Sequence, residues 1–199
     1  IRLIGENPMW VVEGVTFADT ARAAASPADW LRAFEAAVSR NVPVADDAMA
    51  LMERGLQVND SPPQAFHPTV EHRNRIVQFL RPRPGLSARL SEMRDCGLLG
   101  AIFPELNEIS CRVTRDFYHK YTADEHTLLT VRNVERLLNN PRFGPVLREL
   151  RAPELLVLAL LYHDVGKARD GDHSIVGAEM AAGMMARLGL DDEARQTVD

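Results

Sequence analysis

The chain has 199 residues, of which 46% are hydrophobic and 26% are charged. This composition is typical of a globular protein that buries a substantial core without disulfides or structural metals. The formal net charge of −5 at pH 7 excludes a surface that is basic throughout, so we expect no nucleic-acid partner.

Membrane and secretory signals are missing from the sequence. No run reaches the roughly 18 consecutive apolar residues of a membrane span, so we expect no membrane partner. Cys96 and Cys111 fit neither a zinc motif nor a disulfide framework, and we interpret them as reduced thiols. The sequence starts without an initiator Met or a signal-peptide layout. We therefore expect an excised piece of a longer cytoplasmic protein.

The first 60 residues are predicted to be mainly helical. Two short apolar runs flank Glu13-Gly14 and predict a β-hairpin that turns at these two residues. Pro27 opens a helix whose apolar residues recur at helical spacing. A second helix is predicted over residues 45–54, with Gly55 as its end.

The middle of the chain is predicted to hold short helices separated by Pro and Gly. Thr69 is a candidate N-cap for a helix that ends before Pro82. The next helix covers residues 86–96 and stops at Gly97. One more helical turn precedes Pro104.

The last third of the chain contains the strongest helix signals. Thr122 and Glu125 have capping-box spacing at the start of an apolar stripe. Pro153 and the Ala/Leu-rich composition favour helix over buried strand for the run 155–162, which Gly166 should end. Further helices are predicted at 145–150, at 175–188 and from 191 onwards. The chain as a whole is therefore predicted to be all-α.

Three side chains form a candidate metal site. His163 and Asp164 end the apolar helix, and His126 lies near the start of the other strong helix. Packing of the two apolar stripes would bring the three together at the rim of a pocket. Neutral imidazole and carboxylate suit Mn²⁺, Mg²⁺, Fe or Zn²⁺. Alone, His126 could instead be a satisfied histidine near a helix end, and a His-Asp pair is common by chance, but the combination favours a site.

The neighbouring residues suit an anionic substrate. Lys167 follows Asp164 by about one helical turn and can neutralise a phosphate, with Arg169 close by. Taken alone, Lys167 could simply complement a helix dipole. Residues 171–174 precede a helix N-terminus, where free N–H groups favour anions. His173 is placed to reach the same region.

These residues resemble the first part of the HD superfamily signature, which is found in helical, metal-dependent phosphohydrolases. The longer stretches 93–100, 117–128, 162–167 and 171–178 are similar to bifunctional PII uridylyltransferase/uridylyl-removing enzymes. The resemblance is good over residues 65 to 199 and loose before residue 60. It implies an all-α helical bundle of HD-domain type preceded by a helical linker region.

The resemblance also implies roles for individual residues. His126, His163 and Asp164 would be metal ligands, with Mn²⁺ or Mg²⁺ favoured over Fe or Zn as the divalent cofactor. Asp164 would also act in catalysis, Lys167 would stabilise the phosphate, and His173 would contact a second metal or the phosphate. The implied reaction is hydrolysis of the uridylyl-tyrosine phosphodiester on uridylylated PII protein, releasing UMP. Outer partners for the ligating histidines could be Asp124, Glu125 or Asp172.

Three domains follow from the same resemblance. Residues 1–60 would be the linker after a nucleotidyltransferase domain that this chain lacks, and 61–115 a helical connector. Residues 116–199 would be the N-terminal part of an HD domain whose last metal-ligand Asp is expected beyond residue 199. Two other functions stay open: an HD phosphohydrolase acting on small nucleotides, and a regulatory helical module without turnover.

Overall fold

The computed structural model describes residues 2–6, 12–58, 63–110, 121–169, 172–190 and 194. Regular structure in these ranges is overwhelmingly helical, so the all-α prediction is confirmed. The helices are α1 (Thr20–Ala25), α2 (Leu31–Arg40), α3 (Asp46–Val58), α4 (Val70–Phe79), α5 (Leu86–Asp95), α6 (Leu98–Ile102), α7 (Ala123–Leu138), α8 (Phe143–Glu149), α9 (Pro153–Tyr162) and α10 (His173–Leu188). Short 3₁₀ segments lie at Pro27–Asp29, Pro63–Phe66, Pro104–Ile109 and Val165–Ala168.

An antiparallel hairpin precedes the helices, but its turn is not where the sequence predicts it. Strands β1 (Arg2–Glu6) and β2 (Val12–Thr16) pair so that Gly14 lies inside β2, opposite Ile4. A Cβ added at Gly14 would lie 3.3 Å from the Cβ of Ala45. The glycine therefore allows β2 to approach the start of α3, and does not form a turn.

Trp30 explains why the prediction for the end of α3 is wrong. The helix continues through Gly55 to Val58 instead of stopping at the glycine. A Cβ at Gly55 would lie 2.6 Å from Cη2 of Trp30. The indole is 1% exposed, and its Nε1 donates a hydrogen bond to the Ala23 carbonyl at 2.7 Å. Gly55 is therefore needed for a close tertiary contact and not for a helix end.

The middle helices begin and end largely as predicted. Thr69 caps α4, because its side-chain oxygen accepts from the backbone N–H of His72 at 3.3 Å. Gly97 has a φ of +81° between α5 and α6, a conformation that glycine adopts without strain. Within the described ranges, nearly all buried apolar side chains form one contiguous core that extends from Val15 to Leu188.

Five helices build the part of the fold that carries the candidate site. Helix α7 packs against α5, α8 and α9, and α10 packs against the Val165–Ala168 turn that follows α9. Thr122 holds the N-cap position of α7 without a side-chain cap hydrogen bond, so the predicted capping box is not formed. The predicted helix at 155–162 is confirmed. Gly166 lies beyond its end, inside the 3₁₀ turn.

The remaining helix boundaries agree with those predicted from the sequence, apart from small shifts. Helix α8 starts at Phe143, two residues before the predicted start, and α10 starts at His173. The helix predicted from 191 onwards lies almost wholly outside the described residues. Within the described ranges, no helix combines the length and apolar character needed to cross a membrane.

The Trp30–Gly55 contact predicts the effect of one added methyl group. Gly55→Ala should destabilise the protein by about 1–3 kcal/mol, because the new Cβ overpacks against the rigid indole. Gly183→Ala is the matched control, since its Cβ would meet only Arg187 Nη1 at 3.9 Å. We expect this variant to keep or gain up to about 1 kcal/mol through helix propensity. Urea unfolding measures the stability of both variants. An equal change in the free energy of unfolding of the two variants contradicts the packing explanation.

Candidate metal centre

Two helices that pack side by side bring the three predicted metal ligands together. His126 lies in the first turn of α7, while His163 and Asp164 directly follow α9. One ligand atom from each residue lies within 4.8 Å of the other two. Asp164 Oδ2 is 3.4 Å from His163 Nε2 and 3.9 Å from His126 Nε2. Ligands about 2.0–2.2 Å from a common tetrahedral ion are separated by distances of this order.

The end of α9 fixes the orientation of His163. The helix is apolar along its length and buries most of its side chains, so its polar end emerges at the edge of the core. His163 Nδ1 lies 2.7 Å from the Leu160 carbonyl oxygen. The tautomer assigned from this contact has Nδ1–H as the donor, which leaves the Nε2 lone pair free to bind a cation.

The outer partner of His163 is therefore a backbone carbonyl and not a carboxylate proposed from the sequence. A backbone carbonyl is one of the usual outer partners that orient a ligating imidazole. Asp124 instead lies 3.7 Å from Arg94 Nη1. Asp172 caps α10 by accepting from the Ser174 backbone N–H at 2.9 Å, and Glu125 is exposed.

Asp164 divides its two oxygens between opposite neighbours. Oδ2 faces the two imidazoles, while Oδ1 accepts from Lys167 Nζ at 2.8 Å. Partial burial opposes the charge of Asp164. The Lys167 hydrogen bond and the nearby His163 outweigh it, so the pKa of Asp164 lies below its ordinary value. The carboxylate is therefore ionised and available to a cation at neutral pH.

Arg169 and His173, the other residues proposed to face the substrate, lie outside the three-residue cluster. Arg169 pairs with Glu108 through Nη2 at 2.5 Å, so its charge is already engaged. His173 is exposed at the start of α10 and, together with Ser174 and Gly177, lines a surface cleft that also reaches His163. The structure thus places His173 beside the cluster but not within it.

A polar network that sequence reasoning missed supports the end of α9. Tyr162, next to His163, donates from its hydroxyl to Glu105 Oε2 at 2.8 Å. Glu105 Oε1 accepts from Arg187 Nη2 at 2.6 Å. Burial raises the pKa of Tyr162, so its hydroxyl remains a neutral donor. The network joins α9, α10 and the Pro104–Ile109 turn, and no short-range sequence signal links these three segments.

Gly166 permits α10 to approach the cluster closely. A Cβ at this position would lie 2.0 Å from the His173 carbonyl oxygen and 2.7 Å from the Gly177 backbone nitrogen. Both of these are backbone atoms that cannot rotate away. The glycine therefore sets the distance between the turn that carries Lys167 and the helix that carries His173.

A comparison with known protein families gives a match to the C-terminal part of the chain. The family model of the HD domain matches residues 123–199, a span that contains all three candidate ligands. Residues 123–199 are therefore similar to the HD domain.

The curated relatives that the chain resembles carry the name bifunctional uridylyltransferase/uridylyl-removing enzyme. The chain is 37% identical over 134 residues to the bifunctional uridylyltransferase/uridylyl-removing enzyme of Thiobacillus denitrificans, covering 64% of this chain and 16% of the relative. Enzymes of the same name from Ruegeria pomeroyi and Azospirillum brasilense are 32% and 30% identical over 175 and 178 residues. These alignments cover 85% and 86% of this chain and 19% of each relative. The chain thus spans less than a fifth of the length of these relatives.

The Lys167 contact predicts how Asp164 titrates. Because the folded pKa is lowered, Asp164 stabilises the protein above its unfolded pKa, and this stability is lost as the pH falls through the folded pKa. Lys167→Met should raise the pKa of Asp164, so that acid destabilisation begins at a higher pH. Carboxyl ¹³C NMR of the metal-free protein measures the pKa of Asp164. Arg169→Met, which removes a cation bonded to Glu108, should leave Asp164 unchanged; an equal shift in both variants argues against the direct contact.

Proposed function

We propose that His126, His163 and Asp164 bind a divalent metal ion and that the site hydrolyses a phosphoester. The observation that carries the proposal is the convergence of two imidazole nitrogens on one carboxylate oxygen, within a span that matches the HD domain. Two nitrogens and one oxygen suit Mn²⁺ or Mg²⁺, which we favour, and also Fe or Zn²⁺. The ionised Asp164 and the Nε2 lone pair of His163 fit such an ion.

A bound divalent ion would lower the pKa of water and make hydroxide available near neutral pH. The residues of the chain supply the rest of the proposed chemistry. Asp164 accepts a proton from the attacking water. Lys167, held at Asp164, offsets charge that develops on the phosphoryl oxygens. His173 contacts the phosphate from the cleft that it shares with His163.

The proposed substrate is a protein phosphodiester. The relatives are named uridylyl-removing enzymes, and an exposed cleft beside the cluster can admit a modified side chain from another protein. We propose that water cleaves the P–O bond between the uridylyl group and a tyrosine of PII, yielding UMP and the free tyrosine hydroxyl. The cytoplasmic location stays a prediction from the sequence.

Removal of a ligand should abolish metal binding and turnover together. For Asp164→Asn or His163→Ala we expect UMP release from uridylylated PII to fall at least about 100-fold, because the metal-activated water is lost. Release is measured by chromatography with Mn²⁺ or Mg²⁺ present, and bound metal by elemental analysis. His72→Ala is the control, because it alters a histidine on α4 that contacts Thr69. It should change neither UMP release nor bound metal. Full hydrolysis by either ligand variant would refute the assignment.

Lys167 should affect turnover more than metal binding. For Lys167→Ala we expect kcat to fall about 10- to 100-fold, since a cation facing the phosphate in the transition state is lost. Metal content should stay close to that of the parent. Parallel loss of both quantities would show that Lys167 acts mainly by supporting Asp164.

The choice of substrate separates two versions of the proposal. Metal-dependent release of UMP from uridylylated PII, with little turnover of free nucleotides, supports the protein substrate. Efficient turnover of small nucleotide phosphoesters without release from PII would favour a general HD phosphohydrolase. No turnover of either, despite bound metal, would favour a regulatory module.

A further inference from the structure

A short 3₁₀ segment, Pro104–Ile109, directs two carboxylates towards the residues that follow α9. A 3₁₀ helix has three residues per turn, so side chains three positions apart lie on the same side of it. Glu105 and Glu108 have this spacing, and each contacts a residue of the stretch 162–169. The segment therefore presents both carboxylates to the stretch that carries two of the three candidate metal ligands.

The same spacing fixes this segment to the protein core. Leu106 and Ile109 are also three positions apart, and they are only 7% and 1% exposed. Asn107 Nδ2 donates to the Gly100 carbonyl at 3.1 Å. A Cβ at Gly100 would lie 1.8 Å from Asn107 Oδ1, so the amide lies directly against the backbone of α6. The two carboxylates therefore project from a fixed base.

The two carboxylates contact opposite ends of the ligand-bearing stretch. Glu105 Oε2 accepts from the Tyr162 hydroxyl at 2.8 Å, immediately before the first ligand. Glu108 accepts from Arg169 Nε and Nη2 at 2.8 and 2.5 Å, a bidentate geometry that makes the contact more specific. Residues 163–168, which include the candidate phosphate-binding lysine, all lie between these two contacts.

The contact at Glu105 should be the stronger of the two. Its side chain is only 12% exposed and also accepts from Arg187 Nη2 on α10 at 2.6 Å. The Glu108 and Arg169 side chains are 35% and 53% exposed, and solvent weakens exposed ion pairs. Loss of the Glu105 carboxylate should therefore loosen the stretch more than loss of the Glu108 carboxylate.

We propose that Glu105 and Glu108 are positioning residues, which hold residues 163–168 in the geometry that the metal centre requires. This inference rests on the proposed function, which places the metal in that stretch. Neither carboxylate belongs to the candidate ligand cluster, so each acts through its partner at one end of the stretch. Outer contacts of this kind preserve metal affinity, because the ligands are already oriented when the ion binds.

Replacement of each carboxylate by its amide tests the proposal. Glu105→Gln keeps the side-chain shape but removes the charge. In the metal-free chain, the ¹⁵N order parameters of residues 163–168 should fall, because one end of the stretch is released. Mn²⁺ affinity should weaken about 5- to 10-fold, at the low end of the roughly 10- to 100-fold loss for direct partners of metal ligands. Glu108→Gln should weaken it about 2- to 3-fold, since its ion pair is exposed. Unchanged order parameters in both variants overturn the proposal.

Glu35→Gln is the matched control for the loss of an ion pair. Glu35 is partly buried and accepts from Arg75 Nε at 3.1 Å, between α2 and α4. Any loss in this variant should be confined to the melting temperature, with the order parameters of residues 163–168 and the Mn²⁺ affinity unchanged. An equal change in these two quantities would show that any weakened ion pair loosens the stretch, and would overturn the proposal.

A double variant tests whether Glu105 acts through Tyr162. Tyr162→Phe removes the donor of the same contact and should resemble Glu105→Gln. The combined variant should lose no more Mn²⁺ affinity than the weaker-binding single variant, whereas additive losses contradict a shared contact.

The order parameters separate this inference from the proposed function, because they are measured without metal. If the parent chain binds no Mn²⁺, the proposed function fails, while a fall in the order parameters of the variants still supports the role of the two carboxylates. Glu108 lies at the surface, so Glu108→Gln provides the test even if Glu105→Gln folds poorly.

Discussion

The candidate site depends on how the carboxylate of Asp164 is held. One oxygen faces two imidazoles from different helices, and the other accepts from Lys167. The Lys167 hydrogen bond is one of the contacts that lower the pKa of Asp164, and the ionised carboxylate can hold a cation between the imidazoles. Without the turn that follows α9, these groups would lie on separate parts of the surface. The proposed metal binding, water activation and phosphate recognition all require that turn.

The protein stabilises this turn through contacts that are distant in sequence. Tyr162, Glu105 and Arg187 form a hydrogen-bonded chain beneath it, and Gly166 lets α10 pack directly against its backbone. A local contact adds to these: the Leu160 carbonyl, three residues before His163, orients the His163 ring. The Leu160 contact orients the His163 ring without any ion, and the other contacts hold the backbone that carries His163 and Asp164; such support is the preorganisation that a metal site needs. The same scaffold leaves the cleft at His173 open to solvent.

Much of this fold follows from local sequence signals. The apolar run of α9 and the Thr69 cap of α4 depend only on residues a few positions apart, and the sequence predicts them correctly. The helix end predicted at Gly55 and the turn predicted at Gly14 are wrong, because the small size of these glycines accommodates Trp30 and Ala45. Both of those residues are distant along the chain.

The candidate site likewise combines features that the sequence predicts with contacts between distant residues that it does not. The convergence of His126 with His163 and Asp164 is predictable from two apolar stripes and a family resemblance. The ion pair between Arg169 and Glu108, and the network around Tyr162, are not predictable, because they join residues about 60 or more positions apart. The three roles proposed for Asp164, Lys167 and His173 in catalysis remain predictions.

Anomalous diffraction from crystals grown with Mn²⁺ tests the central claim most directly. The account predicts one manganese peak bonded to His126 Nε2, His163 Nε2 and an Asp164 oxygen, at metal–ligand distances of about 2.0–2.3 Å. A peak bound to other residues, or well-diffracting crystals with no manganese between these three side chains at saturating concentration, would contradict it.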